Sequence, residues 1–460
     1  MGVEHVSSSA RNVHLLTASL VFPAILGMRD LLRRRPFDRL LLSYFINYTG
    51  DLVGLVALAI LVYGETHSAL AVSALFIASQ FLPALAAPAL TARVDQLSLR
   101  GTLPAIYFAE AAVYAALALM AGRFLLIPVL ALALVDGVLM LTARGLTRAA
   151  VSATLEPHGL LRQGNGLLNV AFAFAAAGGA ALGGLIVAGT SVGGALLVDA
   201  ASFVVVGLVL VSTNRLPAIT EASEPFLRHL RAGLERVRED RVTRLLIAGE
   251  GAAVLFFALI VPIEVIYAKE TLGTDDAGFG ILLSSWGVGI VLGSLAFLHL
   301  RSRRIRTLIL WSTAAIGVAY LGMAGVTTLT LACAFSVLGG LGNGIQWVAV
   351  MTALQESTPV ALQARITGLL ESAASIMTGV GFLLGGLVVS VASPPAAYAV
   401  SGVGVCVLVL AAAAWPGRAV PIAQQDEPPV SALVRAPPQL PHEPSPAAEP
   451  VLESSEASPD

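Results

Sequence analysis

FDRLLLSYFINYTGDLVGLVALAILVY, residues 37–63, is a long apolar run with one carboxylate, Asp51, near its middle. A helix needs roughly 20 mostly apolar residues to cross a bilayer, and this run supplies them. As a helix it places Tyr44, Asn47, Tyr48 and Asp51 at i, i+3, i+4 and i+7, on one face. Lipid penalises such a stripe, so it is expected to face protein or a water-filled cavity. Phe37 and the cluster Arg29, Arg33, Arg34, Arg35 and Arg39 mark the side from which the helix enters. An acid-bearing inner face points to a pathway rather than a plain anchor.

The rest of the chain has the same character. Of 460 residues, 57% are hydrophobic and only 12% charged, with mean hydropathy +0.83. A soluble protein has too little polar surface at that composition, which implies a polytopic all-α membrane protein. The net charge of −2 gives no reason to expect nucleic acid as a partner. Cys333 and Cys406 both lie in apolar runs, which argues against a disulfide framework or a metal site.

Apolar runs recur at 37–63, 68–90, 102–121, 124–145, 165–189 and 193–212, then at 243–268, 277–300, 306–325, 329–354, 366–391 and 396–416. About twelve spans result. Arg93 and Arg100 follow the second, and Arg144, Arg148 and Arg162 lie at or after the end of the fourth. Arg215, Arg228, Arg231, Arg236, Arg238, Arg241 and Arg244 separate the sixth from the seventh. Arg301, Arg303, Arg304 and Arg306 follow the eighth, and Arg365 the tenth, while the opposite loops carry only Arg123 and Lys269. The positive-inside bias therefore puts both termini in the cytoplasm, with the protein in the cell inner membrane.

The expected organisation is a leader (1–36), a first six-helix bundle (37–213), a linker (214–242), a second bundle (243–416) and a tail (417–460). Residues 1–27 have two readings: an interfacial helix, or sequence upstream of a true start at Met28. In the linker, Leu227, Leu230, Leu234 and Val237 share one face among Arg and Glu, as in a helix lying on a membrane surface. The Pro-, Ser-, Ala- and Glu-rich tail cannot build a core and is expected to be disordered. The halves repeat each other. One fixed offset pairs Gly166-Leu167-Leu168 with Gly368-Leu369-Leu370, and Leu182-Gly183-Gly184-Leu185 with Leu384-Gly385-Gly386-Leu387. It also pairs Pro157 with Pro359 and Gly179 with Gly381. Small residues there, at Gly179, Gly183, Gly184, Gly381, Gly385 and Gly386, let helices approach closely.

Three stretches carry a family resemblance: TGDLVGLVALAILVYGETHSALAVSALFIASQFLP, GNGLLNVAFAFAAAGGAALGGL, and the run from GFGILLSSWGVGIVLGS to GNGIQWVAVMTALQESTP. Over roughly Phe37 to Pro416 the chain resembles a major facilitator superfamily transporter. Within that superfamily it is most similar to the drug:H+ antiporters of the macrolide-efflux and enterobactin-exporter type. Gly50-Asp51, Pro83 and Asn165 stand where that group has its Gly-Asp, Pro and Asn. Two motifs depart from it. The loop after the second span normally reads Gly-x-x-x-Asp-Arg-x-x-Arg; here Pro88 and Ala92 replace the Gly and Asp, and only Arg93 holds its place. Asp95, close to Arg93 and Arg100, is a substitute brace for the gating loop. The Gly-Pro-x-x-Gly-Gly motif of span five reads Gly179-Ala180-Ala181-Leu182-Gly183-Gly184, without its Pro.

The intramembrane polar residues each carry two readings. Asp51 is a proton-binding carboxylate or a structural acid bonded to Tyr or Asn neighbours; the polar stripe favours the first. Glu250 and Glu264, fourteen residues apart in span seven, come within about 40° on an ideal helix and so share a face, as coupling acids or as residues reaching the interface. Glu110 and Asp136 lie in spans three and four. Either is a further coupling acid, or a structural one, with Asp136, near mid-span, paired to Arg144 or to another interior donor. Asn343, Gln346 and Trp347 in span ten line a substrate cavity with Tyr44, Asn47 and Tyr48, or act as interhelical glue. No nucleotide loop, nucleophile elbow or metal cluster supports an enzyme, and no cofactor is called for. The resemblance implies a monomeric efflux transporter, with antibiotic resistance among its roles. It would export a hydrophobic drug, siderophore or metabolite by proton antiport and alternating access. A lipid or lysophospholipid carrier of the same fold and a non-transporting membrane receptor are the alternatives.

Overall fold

The computed structural model describes residues 36–94, 99–213, 241–300, 303–358 and 360–414. The leader with Met28, the tail, Asp95, the side chain of Arg93 and the amphipathic segment of the linker lie outside the described residues.

Twelve helices are long and apolar enough to cross a membrane. They are α1 (Phe37–Thr66), α2 (Ala69–Ala87), α3 (Leu99–Met120), α4 (Leu126–His158), α5 (Gln163–Gly189) and α6 (Val192–Val211). The second half supplies α7 (Arg241–Thr271), α8 (Asp276–Leu300), α9 (Ile305–Gly325), α10 (Leu329–Ser357), α11 (Ile366–Val391) and α12 (Pro394–Ala414). No strand occurs among the described residues. In lipid each backbone N–H and C=O must find its partner within the segment, which a helix provides. The short turns have local causes. His67 takes the left-handed conformation (φ 46°) and donates its N–H to the Tyr63 carbonyl, closing α1, and Ser68 caps α2 by accepting from Ala71 N at 3.3 Å. The fourth helix runs well past the apolar stretch 124–145, because TARGLTRAAVSATL is a good helix former despite its polarity. It stops at Pro157 and at Gly159, whose φ is +67°.

Packing repeats between the halves. In the first bundle α1 lies on α5 and α6, α3 on α6 and α4, and α2 on α4. In the second, α7 lies on α11 and α12, α9 on α12 and α10, and α8 on α10. The glycines of the repeated motif do matching jobs. A Cβ at Gly179 or Gly183 would press on Leu52 or Val53 of α1, and one at Gly381 or Gly385 on Leu255 and Leu259 of α7. Gly184 and Gly386 face the opposite bundle instead, Gly184 against Gly280 of α8 and Gly386 against Ser73 of α2.

The bundles meet along α5–α8 and α2–α11, near the end of the molecule that carries the short turns. At α5–α8 the backbones nearly touch. A Cβ on Gly280 would fall on the Ala180 carbonyl oxygen, and Ala181 N donates to Ser284 Oγ at 2.8 Å. At the same end Tyr63 OH donates to Glu270 Oε1 at 2.5 Å, joining α1 to α7. Among the described residues, α4 and α10 make no substantial contact with the opposite bundle. Along the α2–α11 seam a cleft of about 350 Å³ opens, lined by Gln80, Phe81 and Ala84 on one side and Glu371, Ala374, Ser375 and Thr378 on the other.

Candidate functional site

The polar stripe of α1 meets α4 halfway along the bundle. Arg144 Nη2 donates to Asp51 Oδ2 at 2.8 Å, and Asn47 Nδ2 donates to the same oxygen at 2.9 Å. The guanidinium carbon lies 4.2 Å from the centre of the Tyr48 ring. Tyr48 in turn lies against Tyr44 with the rings tilted by 47° (centroids 4.8 Å) and meets Phe172 of α5 edge-on at 5.1 Å. Thus Tyr44, Asn47, Tyr48 and Asp51 form one connected surface, as helical spacing implies, and α4 supplies its counter-charge. Arg144 pairs with Asp51 and not with Asp136. Positions 136 and 144 are two turns apart on one helix, about 12 Å along its axis, too far for a direct bond. Asp136 instead accepts a long bond (3.4 Å) from Tyr114 of α3.

Behind this surface the first bundle buries more acid. Glu110 is 0% exposed with neither carboxylate oxygen bonded, Asp136 is 7% exposed, and Asp199 of α6 is 0% exposed. Asp199 accepts from Ser202 Oγ at 3.1 Å and lies flat on Gly50 and Gly54, where any Cβ would strike its carboxylate. Sequence reasoning missed Asp199, because VGGALLVDAASFVVV reads as a plain apolar span. The readable signal was an acid in mid-span together with a Gly-x-x-x-Gly face on α1. Four carboxylates lie within electrostatic reach of one another, and Arg144 is the guanidinium among them.

The second bundle has a corresponding but different arrangement. Gln346 of α10 donates through Nε2 to Glu250 Oε2 of α7. Both side chains are buried, at 4% and 5% exposure. Trp347, the next residue, is exposed, and Asn343, one turn earlier, is half-buried. Glu250 and Glu264 do not share one set of neighbours. The segment Val261–Ile263, containing Pro262, winds as a 3-10 turn. Fourteen residues also separate the two acids by about 21 Å along the helix axis, whatever face they share. Glu264 accordingly lies within electrostatic reach of Tyr320 and Tyr398 rather than of Gln346. These rings belong to a chain of Trp286, Tyr320, Tyr398 and Tyr267 with centroids 4.6–6.0 Å apart. Arg100 stands exposed at the start of α3, away from both pairs. No cluster of metal ligands occurs among the described residues.

The family model of the Major Facilitator Superfamily matches residues 246–449, less than half of the chain. No curated protein matches by sequence. Solved structures match closely in shape. The nucleoside transporter NupG in a mutant form aligns with TM-score 0.68 at 14% identity, covering 82% of this chain and 99% of that one. A bacterial homologue of the iron transporter ferroportin, inward-facing, aligns with TM-score 0.64 at 14% identity, covering 82% and 98%. A bacterial homologue of the human lysosomal transporter Spinster, inward-facing and unoccupied, aligns with TM-score 0.61 at 13% identity, covering 83% and 96%. The paired bundles, the glycine seams and these likenesses together give the chain the major facilitator fold, a fold of multi-pass membrane transporters.

Proposed function

We propose that this protein is a secondary transporter that exports a hydrophobic small molecule from the cytoplasm in exchange for protons, working as a monomer in the cell inner membrane by alternating access. The observation that carries this reading is the Asp51–Arg144 pair on helices that face away from their own seam. Bundles joined at one end only form a device that opens to one side at a time, and the charge pair joins α1 to α4 within the first of them. The arginine bias makes the linker end cytoplasmic, so the state described is open inward and closed outward.

The chemistry rests on charge balance. A lone carboxylate at mid-bilayer costs about 3 kcal/mol on the insertion scale. Asp51 is spared that cost while Arg144 holds it. A proton on Asp51 cancels the attraction, frees the guanidinium and loosens α1 from α4. Protons likewise balance Glu110, Asp136 and Asp199, whose combined charge one guanidinium cannot offset. The gating loop with Arg93, Asp95 and Arg100 braces the inner ends of the helices when they close. Glu250 and Glu264 are the corresponding acids of the second bundle, and Gln346, Asn343 and Trp347 its contribution to the cavity.

The test is uptake of a panel of labelled hydrophobic compounds into everted vesicles, with and without a proton gradient. Native protein should accumulate a substrate only with the gradient. Asp51→Asn should keep energy-independent exchange and lose uphill accumulation. Unchanged gradient-driven uptake in Asp51→Asn would place coupling elsewhere. A tag at Thr274 should be reached from outside intact cells, and one at Ser223 only after permeabilisation.

A further inference from the structure

The Tyr–Arg surface has unused bonding capacity. The Arg144 Nε–H is buried without an acceptor, although its Nη2 is engaged by Asp51. Asn47 Oδ1, on a side chain only 3% exposed, has no donor. The Arg144 guanidinium lies over the Tyr48 ring. One turn on from Arg144, Arg148 projects from the same face of α4, as i and i+4 residues do. It is exposed and lies within electrostatic reach of Tyr44, the ring lying against Tyr48. Two arginines of α4 therefore stand opposite two tyrosines of α1, and the exposed Phe172 of α5 closes the row. Contact between α4 and α5 is sparse, which leaves Arg148, Phe172 and the half-buried tyrosine rings, though not the buried Arg144 Nε and Asn47 Oδ1, open to a ligand.

The charges on this shelf are unequal. Arg144 is matched by Asp51, whereas no carboxylate accompanies Arg148 within the shelf. Three aromatic rings offer flat apolar area and edge-to-face contact. A spare guanidinium binds a planar anionic group and is poorly matched to a cation. We infer that the Tyr44–Tyr48–Phe172 shelf with Arg144 and Arg148 is the substrate-binding wall of the first bundle, built for an aromatic compound bearing an anionic group. The ring lies along the tyrosines and the anion takes the exposed Arg148, with the charge of Arg144 beneath. This names the substrate class within the transport reading and rests on it only for the fate of the bound compound.

The test compares two probes that share a ring, 1-naphthoate and 1-naphthylmethylammonium, by equilibrium dialysis against the purified full chain at pH 7. Native protein should bind the anion at least tenfold more tightly. Arg148→Glu should cut anion affinity at least tenfold and erase or invert the preference, while Arg148→Lys keeps most of it. Tyr48→Leu should weaken both probes by a similar factor, because it removes the ring contact they share. Equal affinity in the native protein, a preference that survives Arg148→Glu, or failure of both probes to bind would each overturn the inference. Flux into proteoliposomes separates it from the transport reading. Anion-selective binding without flux leaves the shelf standing and refutes transport. Flux of the ammonium probe without anion preference does the reverse.

Discussion

Asp51–Arg144 in the first bundle and Glu250–Gln346 in the second are one arrangement built twice. Each joins the first helix of a bundle to its fourth, and the offset that aligns the repeated glycines also aligns Arg144 with Gln346. Their electrostatics differ. The first pair is a carboxylate with a guanidinium, partly exposed and backed by three further acids. The second is a carboxylate with an amide, closed off at 5% exposure with no cation bonded to it among the described residues. The same offset sets Asp51 opposite Ala253, so the carboxylate of the second joint comes from the preceding turn, at Glu250. A joint of opposite charges can be released by one proton; a joint of carboxylate and amide has little attraction to release. On the proposed coupling, the first bundle would carry the switch and the second its support.

The largest effect should come from making the first joint like the second. Arg144→Gln strands Asp51 among three other carboxylates and should cost about 3 kcal/mol of stability, as breaking a buried pair does. Thermal melting in detergent should show it, and the double variant Asp51→Asn with Arg144→Gln should recover more than half. An Arg144→Gln protein that melts with the native one would show that the pair is not a joint.

The two seams offer the next contrast. Gly280→Leu drives a side chain into the Ala180 carbonyl and should cost about 2 kcal/mol of overpacking in the outward-closed state. At Gly386 the first obstacle is the Ser73 hydroxyl, a side chain that can turn, so Gly386→Leu should cost less. Cysteine accessibility at position 285 reads both. Equal effects would mean that backbone approach does not set the seam.

Tyr63→Phe removes the hydroxyl that spans the bundles at their closed end. A loss of about 1 kcal/mol should shift the population roughly fivefold toward opening. Distances between spin labels at positions 65 and 275 measure that shift. Smallest of all should be Glu250→Gln. It replaces a carboxylate lacking a counter-ion by an amide that still bonds Gln346, and melting should stay within about 0.5 kcal/mol of native. A loss as large as that in Arg144→Gln would abolish the contrast between the joints.

Most of the architecture was legible because lipid enforces it locally. Span length, arginine bias and the polar face of α1 are properties of one segment at a time. The partner of Arg144 was not legible: a helix shows which residues share its face, but Asp51 is brought to Arg144 only by packing. Asp199 escaped for the same reason, since its environment is made by Gly50 and Gly54 of another helix. For Glu264 the spacing gave the face but not the neighbours: it lies about 21 Å along the helix from Glu250, and the rings near it come from other helices. The glycine motif was legible as a site of close approach, but not which glycine of each motif faces the opposite bundle.

Two turns of π-helix remain, Ile77–Phe81 in α2 and Tyr267–Thr271 in α7. Both lie where one bundle touches the other: Phe81 rests on Gly379 of α11, and Glu270 holds Tyr63. A π turn spreads one extra residue over a helical turn, and sharp bends concentrate at such places. Taking up or releasing that residue rotates the rest of the helix by roughly 100° without melting it. If the bundles rock as proposed, these two wide turns would supply the compliance and the remaining helices would travel as stiff rods. Slow amide exchange along the rods, interrupted at these two places, would be the signature of such a spring.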